Sequence, residues 1–424
     1  MTVPPQRRGS PLGPDDQFYF LHIPKTAGTT LRKFLQDRFH KRAVSPHQML
    51  PDLIAHPPSE LGSYRLFCGH HGMYVRRVLG RDPVTITVLR DPIARSVSHF
   101  RDVKTRKDTW LYDRVQPMSF EEFVMSDLGV TELLNLQARY LSYENIAEDY
   151  FGHSALVRRS LDEAEAKYRR RELLDIGRRR LDEIAYVGIQ EQFEASLLLL
   201  SHTFAWTPPV GDAVSFNRSK LSFDESELTP AALERVRDLT QIDQGLYEHG
   251  KALFEDRIGG VTPESAEQRY RDGMRAVARK TTVSLGFEQP IAGTNWMPRE
   301  ISNNRVVRWT GPATTTHLDL PLAIDKPLRL RCRLCALDTR VLGSLRLTAN
   351  GHAVELRSWP MCDPPRPDMT FDGVLTPDML RENDAYCRLA FEVDDVIRPT
   401  DIDPDSTDER LLGLHFAWLE IMPA

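Results

Sequence analysis

Hydrophobic positions change rhythm along the chain, and the changes outline its architecture. Phe18 to Ile23 (FYFLHI) is a short, aromatic-rich apolar run of the kind a buried strand carries. Pro24 closes it, and Thr29 to Phe39 follows with Leu31, Phe34 and Leu35 at helical spacing. Val84 to Leu89 (VTITVL) predicts a second strand, ended by Arg90-Asp91-Pro92, where Asp91 suits a helix N-cap and Pro92 the first helical position. Ile93, Val97 and Phe100 continue that helix. Strand, loop and helix repeated in this order predict an α/β fold, a parallel sheet covered by helices. Residues 118 to 257 read mainly as helix, with one strand candidate at Ile184 to Ile189. Arg158 to Asp182 alternates arginine and acidic blocks and predicts a solvated helix pair laced by i,i+4 ion pairs, with a basic binding patch as the alternative.

Beyond about residue 260 the helical spacing fades. Short alternating segments appear instead: HLDLPL, LRLRCRLC, LRLTAN, HAVELRS, YCRLAFEV and LHFAWLEI, with Asn350-Gly351 as a hairpin signal. They predict a C-terminal all-β sandwich or jelly-roll module. The expected organisation is a flexible N-terminus over 1–17, an α/β domain over 18–260, a linker over 261–289 and the β module over 290–424.

Composition narrows the function classes. The 424 residues are 41% hydrophobic and 27% charged, as in ordinary globular chains. Basic residues number 55 and acidic 60, a net charge of −5, which argues against a nucleic-acid partner and leaves room for a local basic pocket. No apolar run is long enough for a membrane span, and MTVPPQRRGSPLGPDDQ lacks the apolar core of a secretory signal. The expectation is therefore a cytoplasmic protein, with a homo-oligomer allowed. Five cysteines (Cys68, Cys332, Cys335, Cys362 and Cys387) are odd in number and scattered, which fits reduced thiols. Cys332 and Cys335 form CxxC, but on a strand they point to opposite faces, and no histidine pair completes a zinc site. No metal is expected.

Two turns carry chemistry. The first, His22-Ile23-Pro24-Lys25-Thr26-Ala27-Gly28-Thr29-Thr30, lies between a strand and a helix, where free N–H groups and the helix dipole favour an anion. Gly28 allows close backbone approach, Lys25 adds a point charge, and Thr26, Thr29 and Thr30 add hydroxyls. In the Walker loop the lysine follows the glycines; here it precedes the single glycine. The second turn is Leu89-Arg90-Asp91-Pro92-Ile93-Ala94-Arg95-Ser96-Val97-Ser98-His99-Phe100. Arg90 leaves a strand beside a helix start, and Ser98 follows Asp91 by about two helical turns on the same face. Together the turns imply one ligand with two separated anionic groups; a capped helix and an ordinary strand-to-helix turn are the plain alternatives.

HIPKTAGTT followed by VLRDPIARSVSHF resembles the carbohydrate sulfotransferases typified by heparan sulfate 2-O- and 6-O-sulfotransferases. The resemblance continues through NLQARYL (Asn135, Gln137, Arg139), YVGIQEQF from Tyr186, and Asn217-Arg218-Ser219-Lys220 before the helix ending LYEHGKALF, covering about residues 15 to 257. It implies a P-loop-like sulfotransferase fold using 3′-phosphoadenosine 5′-phosphosulfate (PAPS), without metal, on a saccharide or similar hydroxyl acceptor. The first motif then corresponds to the 5′-phosphosulfate loop and the second to the 3′-phosphate motif. Gly69-His70 matches the Gly-His element that carries the family's histidine base, so His70 is the expected base and Lys25 the stabiliser of the leaving phosphate. His71 ranks second and could instead touch the acceptor, Glu191 is a further base candidate, and His22 reads as a bracing residue. Cys68 stands where the heparan 2-O enzymes have a histidine, so acceptor specificity does not transfer. Asn135, Gln137 and Arg139 are expected to border acceptor or nucleotide. The bacterial-type β module, with Trp296, Trp309, Trp359 and Trp418, would dock the acceptor. The competing functions are a P-loop kinase or NTPase and a non-catalytic glycan-binding protein.

Overall fold

The computed structural model describes residues 12–13, 15–142, 159–169, 171–209, 228–302, 304–360 and 368–424. Cys362, most of the lead-in and Asn217 to Lys220 lie outside the described residues. The chain is mixed α/β and forms two compact units: Met1–Arg32, Ala43–Thr203 and Asn217–Val261 in the first, and Lys33–Arg42, Phe204–Phe216 and Thr262–Ala424 in the second.

The first unit is organised by a four-stranded parallel sheet. β1 (Phe18–Leu21) lies between β2 (Leu66–Gly69) and β3 (Val84–Leu89), and β4 (Tyr186–Ile189) adds to β3, giving the order β2-β1-β3-β4. Every residue of β1, β2 and β4 is buried, so both faces are covered, and the strands read as continuous apolar runs without alternation. β2 (LFCG) is short and poor in β-branched residues, and periodicity alone did not predict it. β1 and β3 are adjacent and parallel, with Leu21 opposite Thr87, so the turns that follow them open at one end of the sheet.

Each turn leads into a helix, α1 (Gly28–Gln36) and α2 (Pro92–Val103). The Asp91 carboxylate accepts the Ala94 N–H at 2.8 Å and Pro92 occupies the first turn, so α2 starts as its sequence predicts. The helical layer includes α3 (Leu136–Ser142), α4 (Leu161–Tyr168), α5 (Arg171–Glu183) and α6 (Gln241–Ile258). An apolar cluster of Phe100, Phe123, Leu133, Val236 and Leu239 holds part of this layer together. The charged stretch is a helix pair, with ion pairs Arg159–Glu163 and Arg180–Glu183; Arg158 lies outside the described residues.

In the second unit two antiparallel sheets supply one apolar core, which gathers Leu330, Cys332 and Leu334 with Leu389, Phe391, Phe416 and Leu419. Along the strand Leu328–Ala336 the burial alternates, with the leucines and Cys332 inside and Arg329, Arg331 and Arg333 outside. Asn350 (φ 49°) and Gly351 (φ 88°) form the left-handed pair that a two-residue hairpin needs between Arg346–Ala349 and His352–Ala353. The span expected as linker contains a helix, Pro263–Arg275. Residues 33–42 cluster here because buried Arg308 pairs with Asp37 at 2.6 Å and Arg299 donates to the carbonyls of Gln36 and Phe39. Of the tryptophans, Trp296 packs between Phe287 and Phe416, whereas Trp359 is 38% exposed, with the Arg331 guanidinium over its ring.

Candidate active site

The turn after β1 has a backbone shaped for anions. Lys25 (φ 70°) and Ala27 (φ 65°) are both left-handed, a conformation that points successive N–H groups into a shared concavity. The Thr26 hydroxyl donates to the Ile23 carbonyl at 2.9 Å, closing the turn from inside. Gly28 is required by its neighbour: a Cβ there would lie 1.6 Å from Nε2 of His22. The first N–H groups of α1 have no partner within the helix.

The second turn is tied to the first. An Arg90 Nη1 hydrogen donates to the Lys25 carbonyl at 3.2 Å. The Lys25 ammonium reaches Asp102 Oδ1 on α2 at 2.8 Å. Ser98, half-buried, lies one turn before Asp102 on the same side of α2. Lys25, Arg90 and the Ser98–Asp102 side of α2 are thus neighbours, joined by a hydrogen bond at one end of the lysine and an ion pair at the other. Burial lowers the Arg90 pKa from its ordinary value, an effect Glu191 opposes.

Beside these turns stands a pair of histidines. His22 stacks on Phe20 and lies 4.3 Å, ring to ring, from His70. Nδ1 of His70 is 2.7 Å from the His22 carbonyl. A carbonyl only accepts, so Nδ1 carries the hydrogen and Nε2 of the neutral ring keeps its lone pair. Burial pushes the His70 pKa below its usual value and the Arg32 guanidinium pushes the same way, against the His22 hydrogen bond. His22 is lowered further, by burial and then by His70. Arg32 was not singled out from the sequence; its half-buried position on α1, bonded to Gln48, brings a positive charge toward the pair.

His71 behaves differently from its neighbour. Its ring is fully buried, stacked on Tyr19 at 5.8 Å and close against Gly69, where a Cβ would meet it at 2.5 Å. Burial, with His70 second, lowers its pKa to about 3. This ring is a packing element, and its burial removes it as acceptor contact or base.

Asn135, Gln137 and Arg139 are also buried. Asn135 (φ 44°) precedes α3, so it does not share a helical face with Arg139. Its Oδ1 accepts the N–H groups of Ile242 and Asp243 at the start of α6, at 2.9 and 3.3 Å. Asp243 answers by accepting the N–H groups of Gln137 and Ala138 at 3.1 and 2.8 Å. The Gln137 amide grips Arg90 at both main-chain groups, accepting its N–H at 3.1 Å and donating to its carbonyl at 2.8 Å. Arg139 donates to the Thr131 carbonyl and lies over Tyr168. The expectation that these three line the ligand gives way to a knot that fixes the second turn from behind. Burial raises the Asp243 pKa to about 6 against the pull of its N–H partners and Arg95, and burial lowers Arg95 to about 10 against Asp243. Glu191 is likewise bound, to the Asp91 N–H at 3.0 Å and the Tyr247 hydroxyl at 3.1 Å. Among the described residues no group of three or more His, Cys, Asp or Glu is arranged to hold a metal ion.

Two strand-to-helix turns at one end of a parallel sheet, with a histidine pair beside them, make up the candidate site. The chain belongs to the galactose-3-O-sulfotransferase family, whose profile matches residues 1–292, and so to the PAPS-dependent carbohydrate sulfotransferases. It is 26% identical to galactose-3-O-sulfotransferase 3 of Bos taurus over 87% of both chains. It is 27% identical to galactose-3-O-sulfotransferase 3 of Homo sapiens over 68% of both. Heparan-sulfate 6-O-sulfotransferase 2 of Danio rerio is 25% identical over 64% of this chain and 66% of that protein. The resemblance to the heparan enzymes therefore holds for the family, while the matching profile is that of the galactose 3-O branch. The cytoplasmic placement does not stand against these relatives, which are animal carbohydrate sulfotransferases, and the bacterial-type label finds no support among them. Among the described residues no helix is long and apolar enough to cross a membrane.

Proposed function

We propose that this protein transfers a sulfuryl group from PAPS to a hydroxyl of a saccharide, by in-line displacement with His70 as the base. The observation that carries the reading is the double link of Lys25 to the second turn, through its carbonyl to Arg90 and through its ammonium to the side of α2 that bears Ser98. The glycine-floored, left-handed turn from Lys25 to Thr30 fits a 5′-phosphosulfate, and Arg90 with Ser98 fits a 3′-phosphate. When bound, PAPS supplies an activated sulfuryl group on a phosphate leaving group.

Each residue has a physical task in this scheme. The N–H groups of Thr26, Ala27, Gly28, Thr29 and Thr30, with the Lys25 ammonium, offset the negative charge that grows on the leaving phosphate. Nε2 of His70 accepts the proton of the acceptor hydroxyl, because Nδ1 is committed to the His22 carbonyl. Arg90 sets the distance between the two anion sites, and the Gln137 grip holds its main chain while the nucleotide pulls on its side chain. We read the second unit as a β-sandwich accessory module for the acceptor, with exposed Trp359 the aromatic surface most available to a sugar ring.

Thermal-shift titration separates this reading from a kinase or NTPase. Adenosine 3′,5′-bisphosphate should stabilise the protein more than ATP with magnesium, and labelled sulfate should pass from PAPS to galactose-terminated or heparan-type oligosaccharides. Stabilisation by ATP with magnesium alone would remove the sulfotransferase reading, and nucleotide binding without transfer to any glycan would favour a non-catalytic binding role.

A further inference from the structure

We infer that Asp102 is a positioning residue for the donor-loop lysine: its carboxylate holds the Lys25 ammonium and competes with the nucleotide's 5′-phosphate for it. The inference rests on the reading of Lys25 as the cation of the 5′-phosphosulfate turn.

Lys25 is gripped at both ends from the second turn and its helix. Its carbonyl accepts from Arg90 at 3.2 Å and its ammonium meets Asp102 at 2.8 Å. Its backbone is left-handed at φ 70°, a conformation a non-glycine residue keeps only where its surroundings impose it. The two grips supply that constraint. Asp102 stands one helical turn beyond Ser98, so an anion sits beside the hydroxyl read as a phosphate contact. Among the described residues Arg106 also lies near Asp102, at 3.8 Å, farther than the lysine at 2.8 Å.

An acid at this place is a liability for a nucleotide site, which gives it a use. Two anions cannot share one ammonium without mutual repulsion. Lys25 and Asp102 keep 27% and 29% of their side-chain surface exposed, so their pair is hydrated and of modest strength. A phosphate arriving at the turn can therefore take the lysine from Asp102, and the carboxylate takes it back as the spent nucleotide leaves. Asp102 thereby weakens the hold on adenosine 3′,5′-bisphosphate and favours its departure, a step that limits turnover in many enzymes.

The test is a double-mutant cycle on the full chain, reading the Kd of adenosine 3′,5′-bisphosphate by calorimetry. Asp102→Asn should bind about two- to fivefold tighter, the range a half-exposed ion pair can supply. The gain should shrink as salt rises and vanish when Lys25→Met is combined with it. A damaged fold does not produce tighter binding, so a gain separates positioning from structural disruption. Unchanged or weaker binding in a folded Asp102→Asn protein overturns the inference. Wild-type affinity in Lys25→Met alone overturns the donor-turn reading instead, so the two failures are distinguishable.

Discussion

The turn from His22 to Thr30 and the knot around Asn135 and Asp243 are built from the same parts. Each has a helix start, at least one left-handed non-glycine residue and polar side chains. In the knot the helix starts are answered by the protein itself: Asn135 takes the first N–H groups of α6, and Asp243 takes those of α3. At the first turn, among the described residues, the Asp102 carboxylate meets the lysine side chain. A ligand site differs from a structural joint in the donors it leaves to a partner outside the fold, since polarity and strain are common to both.

Substitutions on the two sides of this comparison should separate cleanly. The largest effect belongs to the turn's neighbour. His70→Ala should slow sulfuryl transfer about 10²- to 10⁴-fold with adenosine 3′,5′-bisphosphate affinity nearly unchanged, as expected when a base is removed. In the wild type the acid limb of kcat should fall below the ordinary histidine value near 6.5, because the base works neutral and its pKa is depressed. A limb at or above that value would count against His70.

Asp243→Ala should act oppositely, costing about 2–5 kcal/mol of stability in denaturant unfolding by leaving the N–H groups of Gln137 and Ala138 buried without their acceptor. The sign of its pH dependence is unusual for a carboxylate. Because its folded pKa is raised to about 6, the group favours the folded state most at low pH, and that contribution is lost as pH rises toward 6. The stability gap between wild type and Asp243→Ala should therefore widen on acidification from pH 7 to 5. Smaller again is Gln137→Ala, which frees the Arg90 N–H and carbonyl at a cost of about 1–3 kcal/mol. Its nucleotide affinity should fall with catalysis at saturation largely kept, and a loss of kcat alone would move Gln137 to the reacting centre.

Local chemistry was legible from residue order. FYFLHI and VTITVL are strands because continuous apolar runs suit a sheet covered on both faces, and Asp91-Pro92 starts a helix by capping rules that need only three neighbours. The alternation in LRLRCRLCA announced its strand in the same way. Sequence missed β2, and it missed strands such as Arg305–Trp309 and Asp368–Leu375, whose residues carry weak local signals and depend on pairing with distant partners.

The chain by itself determined two strand-to-helix turns in order, a Gly-His step, and a change from helical to alternating spacing near residue 260. Those features are short-range, set by backbone dihedrals, caps and periodicity. Only the tertiary structure decided which polar residues face outward. Asn135 and Gln137 look like ligand contacts in sequence and are buried clamps, and adjacent His70 and His71 differ because one meets a carbonyl beside the turn and the other a tyrosine ring in the core. Burial and pairing are long-range properties: Asp243 lies far along the chain from Gln137, and no local pattern encodes that they meet.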